Sequence, residues 1–490
     1  MITKYIVLAV YFIILMGIGI FASKRITDIR DYYVGGKKLG YWIAALSARA
    51  TGESGWLLIG VTGMGAMMGV SAYWIVVGEV LGVYLSWQFL AKKFKIATDK
   101  YDSITVPDYL VSRFGSTSNT LRIISATALS LFVVIYVSAQ IDTTGKAFES
   151  FLNINYYTGI LMGFGIVLMY ISTGGFLAVA WSDFFQGILM FIGLVILPIV
   201  AVLYVPDLSA FCAQLSAIDP GLTDIWGSGG FNLLNLVSVI GLISIGIGFL
   251  GSPQVYVRFM SIKDENEIKK GKWVAVWYTL ITDTAAVTIG LLGRYLLTSV
   301  GQDPIMAIGH AGEDVLASLL DMVMPNVIIG VYIAAVLSAI MSTVDSLLVV
   351  ASSAVTRDFY QQIFHPEIKN DALTSLSKIV TVVIAILALS IALLVSVLSP
   401  DRTVFWFVIF GWSGIAATFV PVIILSLLWD SFTEKGAIAS MIVGFLSVSI
   451  FKFIIPKLPT VGIYFDKLDV MFPSVLLAMI AGYCICKIEK

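Results

Sequence analysis

The sequence has few charged residues, and this scarcity excludes most soluble protein classes. Charged residues make up 12% of the 490 residues, about half of the roughly 25% that is usual in a soluble domain. Hydrophobic residues make up 59%, and the mean hydropathy is +0.95. The 30 Lys+Arg nearly balance the 31 Asp+Glu, so the net charge is −1. This composition excludes a set of soluble domains, and its even charge balance argues against a nucleic-acid partner.

Histidine and cysteine are also scarce in this sequence. The two histidines are His310 and His365, and the three cysteines are Cys212, Cys484 and Cys486. They are too few and too scattered for an imidazole or thiolate metal site, and the sequence contains no GxxxxGK[ST] phosphate-binding loop. No histidine lies within a predicted membrane span, where it could act as a general base. The sequence therefore predicts no enzyme, no ATP-driven pump and no bound cofactor.

Long apolar windows make up most of the chain. Thirteen of them are long enough to cross about 30 Å of hydrocarbon. They fall near 5–22, 41–68, 71–91, 121–148, 156–173, 182–205, 233–260, 273–298, 326–356, 376–398, 403–428, 437–455 and 468–486. The sequence therefore predicts an all-α polytopic membrane protein of about 13 transmembrane helices, with lipid around it and a single membrane domain over 1–490.

Basic residues are unevenly distributed between the loops. They cluster in 24–38, 92–100 and 258–272, whereas 207–232 and 300–325 contain no Lys or Arg. Loops rich in Lys and Arg stay on the cytoplasmic side of a membrane. The pattern therefore predicts a multi-pass protein of the plasma (inner) membrane, with its N-terminus outside and its C-terminus in the cytoplasm.

Two of the windows contain residues that interrupt helices. The second window contains TGESG at 51–55, and the seventh contains three glycines and a proline within 246–253. Glycine and proline both disfavour helix. Interrupted helices five spans apart are typical of a secondary transporter built from two inverted five-helix repeats, with its site at the bilayer midplane. The predicted division is a first repeat at 41–205, a second at 233–428, and peripheral helices in 1–40 and 429–490.

Ionisable residues lie inside the predicted spans, where each costs about 2.5–3.5 kcal/mol unless it is compensated. Arg49 and Glu53 are four residues apart and could pair on one helix. An unwound backbone at the same place could instead offer carbonyl oxygens to a cation and N–H groups to an anion. Asp183, at the start of the sixth window, fits either a carboxylate favoured by a helix N-terminus or an ion ligand.

One face of the ninth window carries several oxygen-bearing side chains. The residues at i, i+3, i+4 and i+7 spacing are Ala339, Ser342, Thr343 and Ser346, and Asp345 flanks them. Hydroxyls on a membrane helix often only bond to the i−4 carbonyl or hold helices together. Their concentration beside a carboxylate favours an oxygen-lined ion site.

Short segments throughout the chain resemble the sodium/proline symporters of the sodium:solute symporter family. These are ALSA at 45–48, SGWLL at 54–58, VPDY at 106–109, RIISA at 122–126, GGFLAV at 174–179, RFM at 258–260 and MST at 341–343. The resemblance implies a leucine-transporter-like fold of five plus five helices. It also implies import of a small solute, L-proline or a related amino acid, by Na⁺ symport with alternating access.

The resemblance also implies site residues. The main Na⁺ site would use the backbone carbonyls of Ala50, Glu53 and Ala339 and the hydroxyls of Ser342 and Thr343, and Na⁺ is the only metal implied. The substrate pocket would comprise Ser54, Gly55, Trp56, Tyr136, Phe249 and Pro253, to which we add Gln140. A second ion position of some relatives would involve Asp183, Ser342 and Ser346, with Asp345 nearby.

The sequence departs from the proline carriers at several of these positions. Gly52 stands where they have an aspartate, and Glu53 stands where they have a methionine. Ile245 and Phe249 replace a pocket tryptophan and tyrosine, which removes polar groups that could hold a substrate. Arg49, Gln140 and Asp142 add polarity that the carriers lack at the matching positions.

These departures leave alternatives open. Proton coupling through Glu53 is one, and a different solute, such as another amino acid, a cationic amine or a small carboxylate, is another. From a different class, the chain could be a channel or a membrane sensor. A channel would not need two broken helices in related positions, and a sensor would be expected to carry an output domain after the last span.

Overall fold

The computed structural model describes residues 2–25, 28–171, 175–368 and 370–489. Over these ranges the chain is helical, and its one recorded β contact is an isolated bridge between Leu39 and Ile262. Gly174, within one of the family-like segments, lies outside the described residues. The expected all-α fold class is therefore confirmed.

The α-helices follow one another with short connections. They are α1 (Ile2–Ser23), α2 (Ile29–Val34), α3 (Tyr41–Gly55), α4 (Thr62–Met68), α5 (Tyr73–Leu85), α6 (Ala91–Lys100), α7 (Val106–Phe114), α8 (Thr120–Leu152), α9 (Tyr156–Ile171), α10 (Phe176–Val202), α11 (Phe211–Ile218), α12 (Leu233–Ser244), α13 (Pro253–Ser261), α14 (Glu265–Leu297), α15 (Ile305–Ile308), α16 (Val315–Val323), α17 (Asn326–Ser353), α18 (Asn370–Leu398), α19 (Val404–Leu428), α20 (Glu434–Phe453), α21 (Gly462–Leu468) and α22 (Met471–Ile488). Wider π-helical turns occupy Trp56–Val61, Ser86–Leu90 and Ala354–Phe364.

Eleven helices of the described chain are long and apolar enough to cross a membrane. One of them, the continuous stretch Tyr41–Lys100, covers both the second and the third predicted windows. The fifth window corresponds to a shorter apolar helix, Tyr156–Leu168. The multi-pass architecture is thus confirmed, whereas the number of thirteen crossings stays a prediction.

Both predicted helix interruptions are present. At the end of α3, Ser54 has φ 53° and ψ −176°, a conformation outside the helical region. Its hydroxyl oxygen accepts the Trp56 N–H at 3.1 Å and so satisfies a backbone donor near the break. In the seventh window, α12 ends at Ser244, a 3₁₀ segment covers Ile245–Leu250, and α13 begins at Pro253.

Helix α17 lies at the centre of the bundle. It packs against α1, α3, α8, α10 and α18, and every residue from Tyr332 to Ser353 is buried. Small side chains such as Ala335, Ala339 and Ala351 permit this close approach of neighbouring helices. The hydroxyls and the carboxylate of α17 therefore face protein and not lipid.

Candidate functional site

Two hydroxyls of α17 contact the backbone of α3 just before its break. The Ser342 hydroxyl donates to the Ala50 carbonyl at 2.9 Å or to the Ala339 carbonyl at 3.1 Å. The Thr343 hydroxyl donates to the Thr51 carbonyl at 3.0 Å or to the Ala339 carbonyl at 3.2 Å. All five residues are nearly or fully buried. The structure thus collects three carbonyl and two hydroxyl oxygens, the ligand type that hard cations prefer.

This oxygen cluster differs from the expected set in one member. Thr51 contributes a carbonyl that the sequence reasoning missed, although it directly follows Ala50. The Glu53 carbonyl lies within the tight turn at the break, where it shares the Trp56 N–H with the Ser54 hydroxyl. It is not among the acceptors of the Ser342 and Thr343 hydroxyls.

The predicted second ion position is built around a buried arginine. The Asp183 carboxylate accepts from Arg258 at 2.8 Å, from Ser47 at 2.6 Å and from Thr51 at 3.3 Å. Ser346 joins the group through a hydrogen bond with the Thr51 hydroxyl at 2.8 Å and another from Arg258. Sequence reasoning missed Arg258, although it lies in the family-like RFM segment. Asp183 therefore already has a cationic partner.

The two candidate acids of this position lie in different surroundings. Asp183 is the eighth residue of α10, two turns from its N-terminus, so the interpretation as a carboxylate favoured by the first helical turn is wrong. Asp345 is buried on α17, and neither of its carboxylate oxygens has a hydrogen-bond partner in the part of the chain that the structure describes. Asp183 and Ser346 are thus connected through their shared partners Thr51 and Arg258, whereas Asp345 is not part of this hydrogen-bond network.

A second group of charged residues surrounds Arg49. Its guanidinium contacts the Glu53 carboxylate at 2.9 Å and the Glu79 carboxylate at 3.5 Å. The Thr282 hydroxyl lies 3.2 Å from both the Glu53 and the Asp283 carboxylates. We call Arg49, Glu53, Glu79 and Asp283 the charged cluster; each is at most 2% exposed. Its three carboxylates outnumber its one guanidinium.

Part of this cluster was readable from the sequence. The expected i, i+4 pairing of Arg49 with Glu53 is present. Glu79 and Asp283 were missed, although each is an acid within an apolar window and such residues are functional candidates by default. Among the described residues, one oxygen of the Glu53 and of the Asp283 carboxylate has no hydrogen-bond partner, and the Glu79 oxygen nearest Arg49 has only the 3.5 Å contact with it. One guanidinium thus serves three buried carboxylates.

The predicted substrate residues gather around the break in α3. The Gln140 side-chain oxygen accepts the Gly55 N–H at 3.2 Å, and the Tyr136 hydroxyl lies near the Ser54 side chain. A Cβ on Gly55 would lie 2.7 Å from Ile340, so only glycine fits where α3 meets α17. The pocket residues of α3 and α8 are therefore brought together.

Aromatic rings form the wall of the same region. The Phe249 ring lies 5.1 Å from that of Trp412, and Trp412 lies 6.3 Å from Tyr136. Trp56 packs against Phe405 at 5.4 Å. Trp412 and Phe405 belong to α19 and were missed, because aromatic residues in an apolar span carry no distinctive signal. Trp56, Tyr136 and Phe249 are 2–3% exposed, so their rings are closed off from solvent.

Two further predicted residues have other surroundings. Pro253 starts α13 on the far side of the second break and marks that break. Asp142 pairs with Arg402, whose Nε donates to it at 2.9 Å. Nearby, in the connection before α16, burial raises the pKa of Glu313, while Lys146, which donates to it at 2.7 Å, opposes this rise. Arg402 thus compensates the charge of Asp142, and Lys146 compensates that of Glu313.

The chain is similar to known proteins over nearly its whole length. The sequence profile of the Sodium:solute symporter family matches residues 32–444. The High-affinity proline transporter PutP of Bacillus subtilis (strain 168) is 36% identical over 472 residues, covering 94% of this chain and 95% of the relative. The Osmoregulated proline transporter OpuE of the same strain is 34% identical over 487 residues, covering 99% and 94%. The Sodium/proline symporter of Staphylococcus aureus (strain JH9) is 32% identical, covering 99% and 93%.

Solved structures show the same fold. A substrate-bound, outward-open Na⁺-coupled sialic acid symporter superimposes with a TM-score of 0.79 at 19% identity, covering 99% of this chain and 98% of the other. A nucleobase-cation-symport-1 family transporter in a closed conformation gives a TM-score of 0.55 at 12% identity, covering 93% and 95%. The expected leucine-transporter-like architecture with broken helices is therefore confirmed.

The family match and the full-length relatives agree in assigning transport and not catalysis, with Na⁺ as the coupling ion and no enzymatic cofactor. This chain belongs to the sodium:solute symporter family.

Proposed function

We propose that the protein imports L-proline or a closely related amino acid together with Na⁺. The observation that carries the proposal is the contact of Ser342 and Thr343 on α17 with the backbone of the broken α3. The named proline transporters among the relatives support the choice of solute. Na⁺ would lie between the carbonyls of Ala50, Glu53 and Ala339 and the two hydroxyls, as the family pattern implies, with the Thr51 carbonyl as a further neighbour.

Na⁺ at this position would act as a bridge between α3 and α17. The two hydroxyl protons now point at carbonyl oxygens, so binding would require both hydroxyls to turn and present oxygen lone pairs to the ion. Na⁺ would favour one conformation only if it bound that conformation better. Formation of the bridge would fix the half of α3 that precedes Ser54 and would thereby shape the pocket beyond it.

The pocket offers a zwitterion two kinds of contact. Backbone N–H groups at the α3 break, such as that of Gly55, would receive a carboxylate, with the Gln140 amide adjusting its present bond to Gly55. The rings of Trp56, Tyr136 and Phe249 would cover an apolar ring or side chain. Ser54 would border the pocket at the α3 break, where its hydroxyl accepts the Trp56 N–H, and Pro253 would mark the second break.

One Na⁺ per solute is sufficient for accumulation. A membrane potential of 100 mV contributes about 2.3 kcal/mol per charge moved inward, which corresponds to roughly fiftyfold accumulation of a zwitterion. The position of Asp183, Asp345 and Ser346 has Arg258 as a resident cation. We therefore assign it a structural role and assign the transported Na⁺ to the Ser342–Thr343 cluster.

We also propose the topology that the charge distribution favours. The N-terminus would lie outside and the C-terminus in the cytoplasm, because the basic segments 92–100 and 263–272 would then face the cytoplasm. Arg258, counted with the second segment in the sequence analysis, is buried against Asp183 and carries no information on topology. The inverted repeats would span 41–205 and 233–428. The breaks after Ser54 and around Gly251, at corresponding places in the two halves, support this division.

A second candidate function is supported by the charged cluster. With three carboxylates and one guanidinium, the cluster carries excess acid in the interior of the bundle. Such an excess favours an additional positive charge, either a proton carried with the solute or a cationic solute. Proton coupling and a cationic amine are therefore the alternatives to be tested alongside proline.

Uptake into proteoliposomes tests these functions. Labelled L-proline would be supplied under an inward Na⁺ gradient, an inward H⁺ gradient, or neither, and unlabelled amino acids and amines would compete. We expect accumulation with Na⁺ alone and competition by proline. Accumulation driven by H⁺ without Na⁺ would replace the proposed coupling ion. Competition by amines but not by proline would replace the proposed solute.

A further inference from the structure

A large apolar groove opens on the flank of the bundle, away from the candidate transport site. It lies between α3, α10 and α14 and has a volume of about 910 Å³. Four tryptophans line it, Trp42, Trp181, Trp273 and Trp277, and three of them are 51–56% exposed. The groove therefore faces the surroundings of the bundle and not its interior.

The groove is apolar along its whole length. Its lining consists of aliphatic and aromatic side chains. The one hydroxyl among them, that of Tyr278, points inward and donates to the Gly187 carbonyl at 2.8 Å. The tryptophans keep their indole N–H groups, but the surface of the groove is almost wholly apolar, which favours a hydrocarbon chain as the occupant.

The length of the groove matches one leaflet of a bilayer. Its lining residues on α14 run from Trp273 to Ile281, a rise of about 12 Å at 1.5 Å per residue. Those on α10 run from Trp181 to Phe191, about 15 Å. Half of the hydrocarbon thickness of a membrane is also about 15 Å. A single acyl chain therefore fits the groove from its mouth to the bilayer centre.

Lysines lie at the mouth of the groove. Lys269 and Lys270 lie one helical turn before Trp273, the first lining residue of α14. Side chains on a helix lean toward its N-terminus, so these two lysines point away from the apolar lining and toward the mouth of the groove. The Lys270 amine pairs with Glu267 at 3.2 Å and lies 5.6 Å from the centre of the Tyr41 ring. Lys269 is exposed and has no recorded partner within the described part of the chain. The mouth thus carries one uncompensated positive charge.

We propose that this groove binds an anionic phospholipid of the surrounding leaflet. One acyl chain lies along the tryptophans, and the phosphate lies against Lys269 and Lys270. The ligand must be hydrocarbon over 12–15 Å and negative at one end, and an anionic phospholipid has this chemistry; basic groups beside membrane helices attract such headgroups. The proposed topology puts the mouth on the cytoplasmic side, and the binding chemistry is independent of the transported solute.

Quenching of tryptophan fluorescence by brominated lipid tests the proposal. The purified protein would be placed in phosphatidylcholine nanodiscs containing increasing fractions of phosphatidylglycerol with brominated acyl chains, and in matched discs with brominated phosphatidylcholine. We expect half-maximal quenching at an about fivefold lower fraction of the anionic lipid, the equivalent of about 1 kcal/mol for one uncompensated lysine. Replacing Trp273 and Trp277 by phenylalanine should reduce the lipid-selective part of the quenching, because Trp42 and Trp181 remain in the groove.

A charge-matched pair of variants completes the test. Lys269→Gln with Lys270→Gln should abolish the selectivity for the anionic lipid, whereas Lys93→Gln with Lys100→Gln, exposed lysines of α6, should leave it unchanged. Equal quenching by both lipids in the unmodified protein would overturn the proposal. So would an equal loss of selectivity in the two double variants, because that result would indicate only the overall charge of this side of the protein. If a second copy of the chain covers the groove, the tryptophans will be shielded from both lipids, and the proposal fails.

Discussion

Replacing Thr343 by alanine tests the assigned Na⁺ site directly. The change removes one of two side-chain oxygens at the point where α17 meets α3, and with it the hydrogen bond to the Thr51 carbonyl at 3.0 Å. An interaction of a hydroxyl with a charged partner contributes about 1.5 kcal/mol or more. We therefore expect the Na⁺ concentration for half-maximal uptake to rise roughly tenfold, with uptake at saturating Na⁺ retained.

The assay has two independent readouts. Uptake of labelled proline gives the Na⁺ dependence of transport, and the shift of the melting temperature with added Na⁺ gives ion binding without reference to any solute. Thr343→Ser, which keeps the hydroxyl, should restore Na⁺ affinity. Thr381→Ala is a matched control, because the Thr381 hydroxyl is also buried but, among the described residues, bonds to the Ser377 carbonyl of its own helix at 2.7 Å.

Two results would refute the reasoning. An unchanged Na⁺ dependence in well-folded Thr343→Ala protein would remove the hydroxyl from the ion site. A rise of the same size in Thr381→Ala would show that the loss of any buried threonine hydroxyl disturbs Na⁺ affinity. Rescue by Thr343→Ser in both readouts would instead tie the effect to the hydroxyl oxygen.

Three further substitutions probe the pocket, the break and the buried ion pair. Trp56→Ala should weaken solute binding more than Na⁺ binding, because its ring is assigned to the pocket wall; equal losses in the two titrations would argue against that pocket. Gly55→Ala would place a Cβ 2.7 Å from Ile340 and should cost about 1–3 kcal/mol by overpacking, seen as a lower melting temperature; an unchanged value would contradict the close approach. Asp183→Asn removes the carboxylate that accepts from Arg258 at 2.8 Å. Because the buried arginine then loses its charge partner, the free energy of unfolding should fall by about 3–5 kcal/mol. If stability is kept and only Na⁺ affinity falls, Asp183 is an ion ligand.

The sequence alone determined the class of fold and the places where its helices break. Apolar windows of membrane-spanning length leave the chain no soluble alternative, and the glycines around Ser54 and Gly251 are sufficient to predict the two interruptions, because glycine disfavours helix wherever it stands. The i, i+4 spacing was also sufficient to pair Arg49 with Glu53, because both partners lie on one helix. Each of these features depends on residues close together in the chain.

The tertiary structure alone decided which polar groups meet across helices. Arg258 reaches Asp183 over 75 positions of sequence, and Thr51 reaches Ser346 over 295. Helical spacing cannot predict such contacts, because it fixes the face of one helix but not which neighbour covers that face. Interruptions and faces are local properties of the backbone and its side chains, whereas ion pairs between helices, the aromatic wall around the α3 break and the apolar groove exist only once separate helices pack together.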